Sequence, residues 1–419
     1  MASSSFDVKE HVIPCQHIRG YPHAAKDPTA VLRLAIKEYA PKEIVDGATQ
    51  AVTIIAAHAN GIPKETYEPL WEALRIRLTG RLKAIWIADC SHQGASGILN
   101  ENVQGDDPNW FDHSRDLLAM VNHFRDSIKP PIVGIAHSMG CAQLVQLSHI
   151  HPRLFQSLVL IEPVIQEHFP PGPNAALLAS YKPDLWNSLE EAQSYFQNNK
   201  FYKTWDDRAL NLYLQYGLRK TPTALFPDAP PGSVTLRTTK HQEAWSYVRS
   251  SFSPLPPDGL LDEQERLTTG DLNSSQATYL FHRAEPGLAF HSLPYLQPSV
   301  LWVFAKQSYI NKSDDQEEKV SRTGTAVRSS GGRESGAVET VVIDRAGHLL
   351  PLEKIEETAD MIAPYIDRHL TKYQQQDGFW DSFDSGKSER GRLALSQKWM
   401  KEVRKKADVK RPVRGGTKL

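Results

Sequence analysis

Short, almost uninterrupted apolar runs alternate with amphipathic stretches through the first part of the chain. Val52–His58 (VTIIAAH) and Leu82–Asp89 (LKAIWIAD) read as strands, with the helix-periodic Tyr67–Leu78 between them. The order then repeats. Phe111–Phe124 is helix-like, Ile132–Ala136 strand-like, Cys141–Ile150 helix-like and Ser157–Ile161 (SLVLI) strand-like. Runs that are apolar at nearly every position suit strands covered on both faces, so their alternation with helices predicts a mostly parallel, doubly wound α/β sheet with right-handed crossovers.

After Pro163 the alternation stops. Leu185–Gln197 and Ala209–Tyr216 are helix-like, but Pro-rich turns such as Pro227-Asp-Ala-Pro-Pro-Gly and Pro254–Pro257 separate the pieces. A loop of that length without structure of its own does not fit a compact domain, so the interval is read as an inserted, mainly helical cap. The sheet resumes at Ser299–Ala305 (SVLWVFA). The Gly/Ser-rich Gly324–Gly336 is expected to be a mobile surface loop, Val338–Ile343 the last strand and Glu356–Leu370 a closing helix. The expected organisation is therefore core (1–163), cap (164–298), core (299–371) and a basic tail (372–419).

Composition narrows the classes of partner. With 48 Lys+Arg against 49 Asp+Glu the formal net charge is −1, which implies no global attraction to nucleic acid or membrane. No run approaches the roughly 18 apolar residues of a spanning helix, and the polar MASSSFDVKEH start lacks the apolar centre of a secretory signal. Cys15, Cys90 and Cys141 are too few and too scattered for a disulfide framework or a zinc site, and read as thiols. The tail is basic and carries one aromatic cluster, Phe379, Trp380 and Phe383, suited to docking on the main body. It offers no aromatic platform for nucleic acid, and none is expected as a partner. The chain ends in Thr417-Lys418-Leu419, one substitution from the Ser-Lys-Leu that a peroxisomal import receptor reads, which makes the expected location peroxisomal and otherwise cytoplasmic.

The chemistry centres on Pro131–Gln143, PIVGIAHSMGCAQ. A strand stops at Ala-His-Ser-Met-Gly and becomes helix, the context in which a sharp turn exposes a serine nucleophile. Ser138 is that serine; Ala136 stands where G-x-S-x-G has its first glycine and is still small enough to pack beneath it. A serine hydroxyl needs a base and prepared donors for the oxyanion. The chain order Ser, acid, His points to His348 in VVIDRAGHLLPLE, after the last strand. For the acid, FAKQSYI offers only the uncharged Ser308 at the common position. Glu162, at the end of SLVLIE, is the preferred carboxylate because a buried glutamate there needs a cationic partner, with Asp314 and Asp315 as the alternatives. The oxyanion donors are expected to be the backbone N–H of Met139 and one from His58-Ala-Asn-Gly-Ile-Pro63, either Asn60 or Ile62 according to register. No metal or organic cofactor is called for. Aromatic cap residues Trp186, Tyr195, Phe196 and Trp245 would line an acyl pocket or form the cap's own core.

Together these residues resemble the α/β-hydrolase superfamily. HANGIPKETYEPLW, IADCSHQGASGILNE, DPNWFDHSRDLL, AHSMG and GHLLPLE look like the fungal peroxisomal lipase and host-selective-toxin-biosynthesis hydrolase group, over about residues 10 to 370. The resemblance implies an α/β-hydrolase fold and hydrolysis of a carboxylic ester or acyl thioester through an acyl-serine intermediate, in fungal lipid or secondary (toxin) metabolism. Glu162 on the sixth strand is similar to some haloalkane dehalogenases, but Ser138 replaces their nucleophilic aspartate. Acyl transfer by the same triad, or ligand binding without catalysis, is the alternative.

Overall fold

The computed structural model describes residues 5–43, 51–255 and 263–411. Residues 417–419, the expected import signal, lie outside them. An eight-stranded sheet runs in the order β1-β2-β4-β3-β5-β6-β12-β13. β1 (Phe6–Pro14) and β2 (Arg33–Pro41) form an antiparallel hairpin that joins β4 (Leu82–Ala88) antiparallel. From β4 onward the sheet is parallel, through β3 (Val52–Ala57), β5 (Ile132–His137), β6 (Ser157–Ile161), β12 (Ser299–Ala305) and β13 (Val338–Ile343).

Every residue of β3, β5, β6 and β12 is buried, which explains their unbroken apolar sequences. The two-residue period of a strand sends alternate side chains to opposite faces. Ile54, Ile135, Val159 and Val303 join the core on one face, and Ile55, Ile132, Leu158 and Trp302 the core on the other. Helices Glu68–Arg77, Trp110–His123 and Met139–Ile150 cover the first half of the sheet.

Between β6 and β12 the chain forms helices Ala175–Tyr181, Leu189–Asn198, Asp207–Tyr216, Lys240–Tyr247 and Glu263–Thr269. Two small antiparallel sheets accompany them, one of β7 (Leu185–Trp186), β8 (Leu218–Lys220) and β9 (Val234–Leu236), the other of β10 (Arg249–Ser250) and β11 (Phe281–His282). The inserted segment is thus mainly helical. Its final helix, Glu285–Ser292, places Ala289 and Phe290 in the same core as Leu144 and Leu158, so the return to the core precedes residue 299.

The stretch from Gly324 to Gly336, expected to be mobile, is tied down. Gly324, Ala326 and Ser330 donate backbone hydrogen bonds to Leu293, Pro294 and Leu296, each at 2.9 Å, because glycines let the chain turn close enough to reach those carbonyls.

Residues 1–370 form one compact unit and 371–419 a second. In the second, Phe379, Trp380 and Phe383 stack on one another near the end of helix Ile355–Asp384, ahead of the short helices Glu389–Leu393 and Gln397–Glu402. Among the described residues, no helix is long and apolar enough to cross a membrane.

Candidate active site

β5 ends at His137, and Ser138 turns the chain into helix Met139–Ile150 with φ 56° and ψ −117°. Such a backbone costs a non-glycine residue on the order of 1–3 kcal/mol and persists only where the surroundings enforce it. They do so here: the Ser138 N–H donates to Ile161 O at 3.0 Å, and the Ser138 carbonyl accepts from Cys141 at 3.1 Å and Val164 at 3.3 Å. Gly140 is required by close approach, since a Cβ there would stand 2.5 Å from Ala57 O.

The Ser138 hydroxyl lies 2.9 Å from His348 Nε2, and His348 Nδ1 lies 3.2 Å from Glu162 Oε2. An ionised carboxylate only accepts, so the proton sits on Nδ1 and the bare Nε2 accepts from Ser138. Glu162 is fully buried and also has positive φ, 46°. Three further donors replace its lost water: Ala305 N–H on Oε1 at 2.6 Å, and Ser308 Oγ at 2.6 Å and Asn311 Nδ2 at 3.2 Å on Oε2. The structure therefore brings Ser138, His348 and Glu162 together. Asp314 and Asp315 lie instead in the first turn of helix Ser313–Arg322, where Asp315 faces His168 at 3.3 Å.

The loop after β3 is held at almost every polar atom. The Ala59 N–H donates to Tyr67 Oη at 3.0 Å, the Gly61 N–H to Gln93 Oε1 at 2.8 Å, and the Ile62 N–H to Ala59 O at 3.2 Å. Cys90 N–H donates to His58 Nε2 at 2.9 Å, which leaves His58 Nδ1 to donate to Ala59 O at 2.8 Å. The Asn60 side chain gives a hydrogen bond to Glu243 O at 2.9 Å and takes one from Gln93 Nε2 at 2.7 Å. With the Ile62 amide spent, Asn60 offers the free N–H: among the described residues it has no hydrogen-bond partner. The Met139 amide, at the first position of its helix, has no intrahelical acceptor either.

Several residues at the site had no separate signal in the sequence. Ser308 reads there as a missing acid, whereas its hydroxyl donates to the Glu162 carboxylate. His137 is fully buried, and burial, reinforced by nearby His348, pushes its pKa down to about 3, so it is neutral. Its ring bonds to the His348 carbonyl at 2.9 Å and to Tyr67 Oη at 2.8 Å. Of the cap aromatics, Trp186, Tyr195 and Phe196 pack with Tyr202 and Tyr213 in a cluster that continues into the core on the Ile54 face of the sheet, while Trp245 is half exposed. Among the described residues, no group of three or more His, Cys, Asp or Glu side chains is arranged to hold a metal ion, and the three cysteines are free.

The sequence model of the Alpha/beta hydrolase family matches residues 54–361. A protein named "Type I acyl-CoA thioesterase mpaH'" from Penicillium brevicompactum is 34% identical, over 96% of this chain and 96% of its own length. The "Abhydrolase domain-containing protein AKT2" of Alternaria alternata is 26% identical over 58% of this chain and 85% of its own. Among solved structures, the peroxisomal alpha-beta-hydrolase Lpx1 of Saccharomyces cerevisiae superposes with a TM-score of 0.66, covering 94% of this chain and 99% of its own, at 18% identity.

Proposed function

The chain belongs to the Alpha/beta hydrolase family, and from that premise we propose that it is a serine hydrolase of the esterase/thioesterase type whose substrate is an acyl-CoA-like thioester. Ser138 Oγ attacks the acyl carbonyl carbon as its proton passes to His348 Nε2, and the imidazolium is stabilised by Glu162. The carbonyl electron pair moves onto oxygen, where the Met139 and Asn60 N–H groups receive the charge. Collapse expels the thiolate or alkoxide, which takes the proton from His348. Water, deprotonated by the same nitrogen, then releases the acid and restores Ser138. Every step uses only groups of this chain, the substrate and water.

The observation that carries the reading is the continuous contact from Ser138 through His348 to the buried Glu162, at 2.9 and 3.2 Å. The thioester preference rests on the 34% identical thioesterase, aligned over nearly the whole of both chains.

The test is a fluorophosphonate probe with adduct mapping, beside hydrolysis of a p-nitrophenyl ester and of acyl-CoA thioesters. An adduct on Ser138, lost in Ser138→Ala and His348→Ala together with turnover, is expected. A folded protein that takes no label and hydrolyses neither substrate overturns the serine mechanism and favours ligand binding without this chemistry.

The proposal extends to a setting in fungal lipid or secondary metabolism and to peroxisomal import through Thr417-Lys418-Leu419. Full-length chain with an N-terminal fluorescent tag should enter peroxisomes, and removal of Leu419 should return it to the cytosol. Unchanged distribution rejects the address.

A further inference from the structure

His137 and Tyr67 stand outside the proton path of the proposed reaction, yet their hydrogen bonds run between two of its parts. The His348 carbonyl only accepts, so the 2.9 Å contact requires the proton on His137 Nε2. His137 Nδ1 is then bare and accepts from the Tyr67 hydroxyl at 2.8 Å. Having given its proton to His137, Tyr67 Oη accepts the Ala59 N–H at 3.0 Å. These partners allow a single arrangement of protons: Ala59 N–H to Tyr67, Tyr67 O–H to His137, His137 N–H to the His348 carbonyl.

The two ends of this chain of bonds matter. Ala59 carries the peptide whose N–H is that of Asn60, the free donor of the loop, and the carbonyl of that same peptide is fixed by His58. His348 is the base. Between the two ends, His137 is covalently joined to Ser138. Tyr67 and His137 are both buried, and the cavity beside them is only about 10 Å3 and otherwise lined by side chains such as Ala56, Leu70, Trp71 and Ile161. That is at the lower limit for one water, and its apolar lining offers a water few polar partners, which favours these bonds.

We propose that Tyr67 and His137 are positioning residues, a cross-brace that fixes the separation of the oxyanion loop and the His348 loop about Ser138. The inference rests on the serine-hydrolase reading above. Because the brace never touches substrate, it acts on the rate of the chemical step: a misplacement of about 1 Å at such a site costs up to about 100-fold in rate. Neutral His137, with its pKa near 3, keeps its single tautomer throughout the working pH range.

The test compares Tyr67→Phe, His137→Leu and the double variant, as full-length protein, on p-nitrophenyl butyrate, with active sites counted by fluorophosphonate. Tyr67→Phe keeps the ring and its packing on Trp71 and removes one oxygen; His137→Leu, whose side chain can neither donate nor accept, breaks the same brace at its other end. Each is expected to lower kcat per labelled site by about 10- to 100-fold with KM within about twofold, and the double variant to be no slower than the worse single one, because both break one connection. A residue that merely stabilises the fold would lower the melting temperature and leave kcat per labelled site unchanged. Wild-type kcat in Tyr67→Phe, or losses that multiply in the double variant, overturns the brace. If His137→Leu fails to fold, Tyr67→Phe alone decides. Ser138→Ala separates the two readings: inactive Ser138→Ala with a fully active Tyr67→Phe rejects only the brace, whereas an active Ser138→Ala rejects the serine mechanism and the brace with it.

Discussion

The Ser308 hydroxyl donates to Glu162 Oε2 at 2.6 Å, on the same carboxylate oxygen that faces His348 Nδ1 at 3.2 Å. Ser308 follows β12, where an acid is commonly found, and Glu162 follows the neighbouring β6. The two positions meet at one point, and the charge has its source on the adjacent strand.

That meeting predicts that the proposed acid can be moved. Glu162→Gln is expected to lower kcat by roughly 10³- to 10⁴-fold, as loss of the orienting carboxylate does in a serine triad. Adding Ser308→Asp to Glu162→Gln should recover at least tenfold of it. Ser308→Asp alone puts two carboxylates against each other and should destabilise the protein, most strongly at neutral and higher pH where both are charged. Steady-state kinetics and thermal melts of the three variants check this; no recovery in the double variant would mean that the β12 end cannot serve His348.

Gly140→Ala should be destabilising by about 1–3 kcal/mol, because its Cβ would stand 2.5 Å from Ala57 O and 2.7 Å from Ala57 C, which are backbone atoms of β3 that cannot rotate away. The helix start would have to lift, so fluorophosphonate labelling of Ser138 should slow in parallel. Urea titration and labelling rates read the two effects.

Buried histidines set an acid limit to stability. Burial holds His92 and His137 at pKa values of about 3, below the usual 6.5 of the unfolded chain. Below pH 6.5 the unfolded state therefore binds protons that the folded state does not, and stability is complete above that value and lost as pH falls toward 3. Each histidine adds a slope of up to about 1.4 kcal/mol per pH unit. Urea midpoints measured at pH 7.5, 6 and 5 should fall progressively, and His92→Gln should flatten the trend. A midpoint independent of pH in this range would contradict it.

Lys64 Nζ bonds to Asp89 Oδ2 at 2.7 Å, and both side chains are buried. Lys64→Met leaves Asp89 charged without its cation and should cost roughly 3–5 kcal/mol. Lys64→Met with Asp89→Asn should recover part of that, because the stranded charge is gone. Denaturant unfolding of the two variants measures the difference.

How much of this was legible follows from the range of each signal. β3, β5, β6 and β12 are unbroken apolar runs, so their existence and parallel arrangement could be read directly. The elbow was legible because strand, small residues and serine lie within one short stretch. Glu162 could be singled out because a carboxylate at the end of SLVLI needs a partner. β1 has an exposed face, with Lys9, Glu10 and His11 interrupting its run, and β2, although buried from Leu34 to Tyr39, carries Lys37 and Glu38 inside its apolar run, so neither stands out in the sequence. The cap strands of two or three residues are shorter than any period can resolve. The choice of Asn60 over Ile62 depends on which amide is already spent, and the contact of Tyr67 with His137 spans 70 residues. Ser308 was visible only for the charge it lacks, since a donor's role depends on what it faces.

One consequence follows from where the insertion falls. Ser138 and Glu162 both precede it, on the ends of adjacent strands β5 and β6, and His348 alone comes after it. The proposed nucleophile and acid thus lie in one contiguous stretch of sequence that the long excursion of the chain follows, while the excursion still reaches back to the loop after β3, where Glu243 O accepts from the Asn60 side chain. Cap sequences recombined at the two ends of the insertion would leave the Ser138–Glu162 stretch intact, and a library built that way that keeps an acceptor for the Asn60 side chain would vary the cap over a constant half of the proposed catalytic centre.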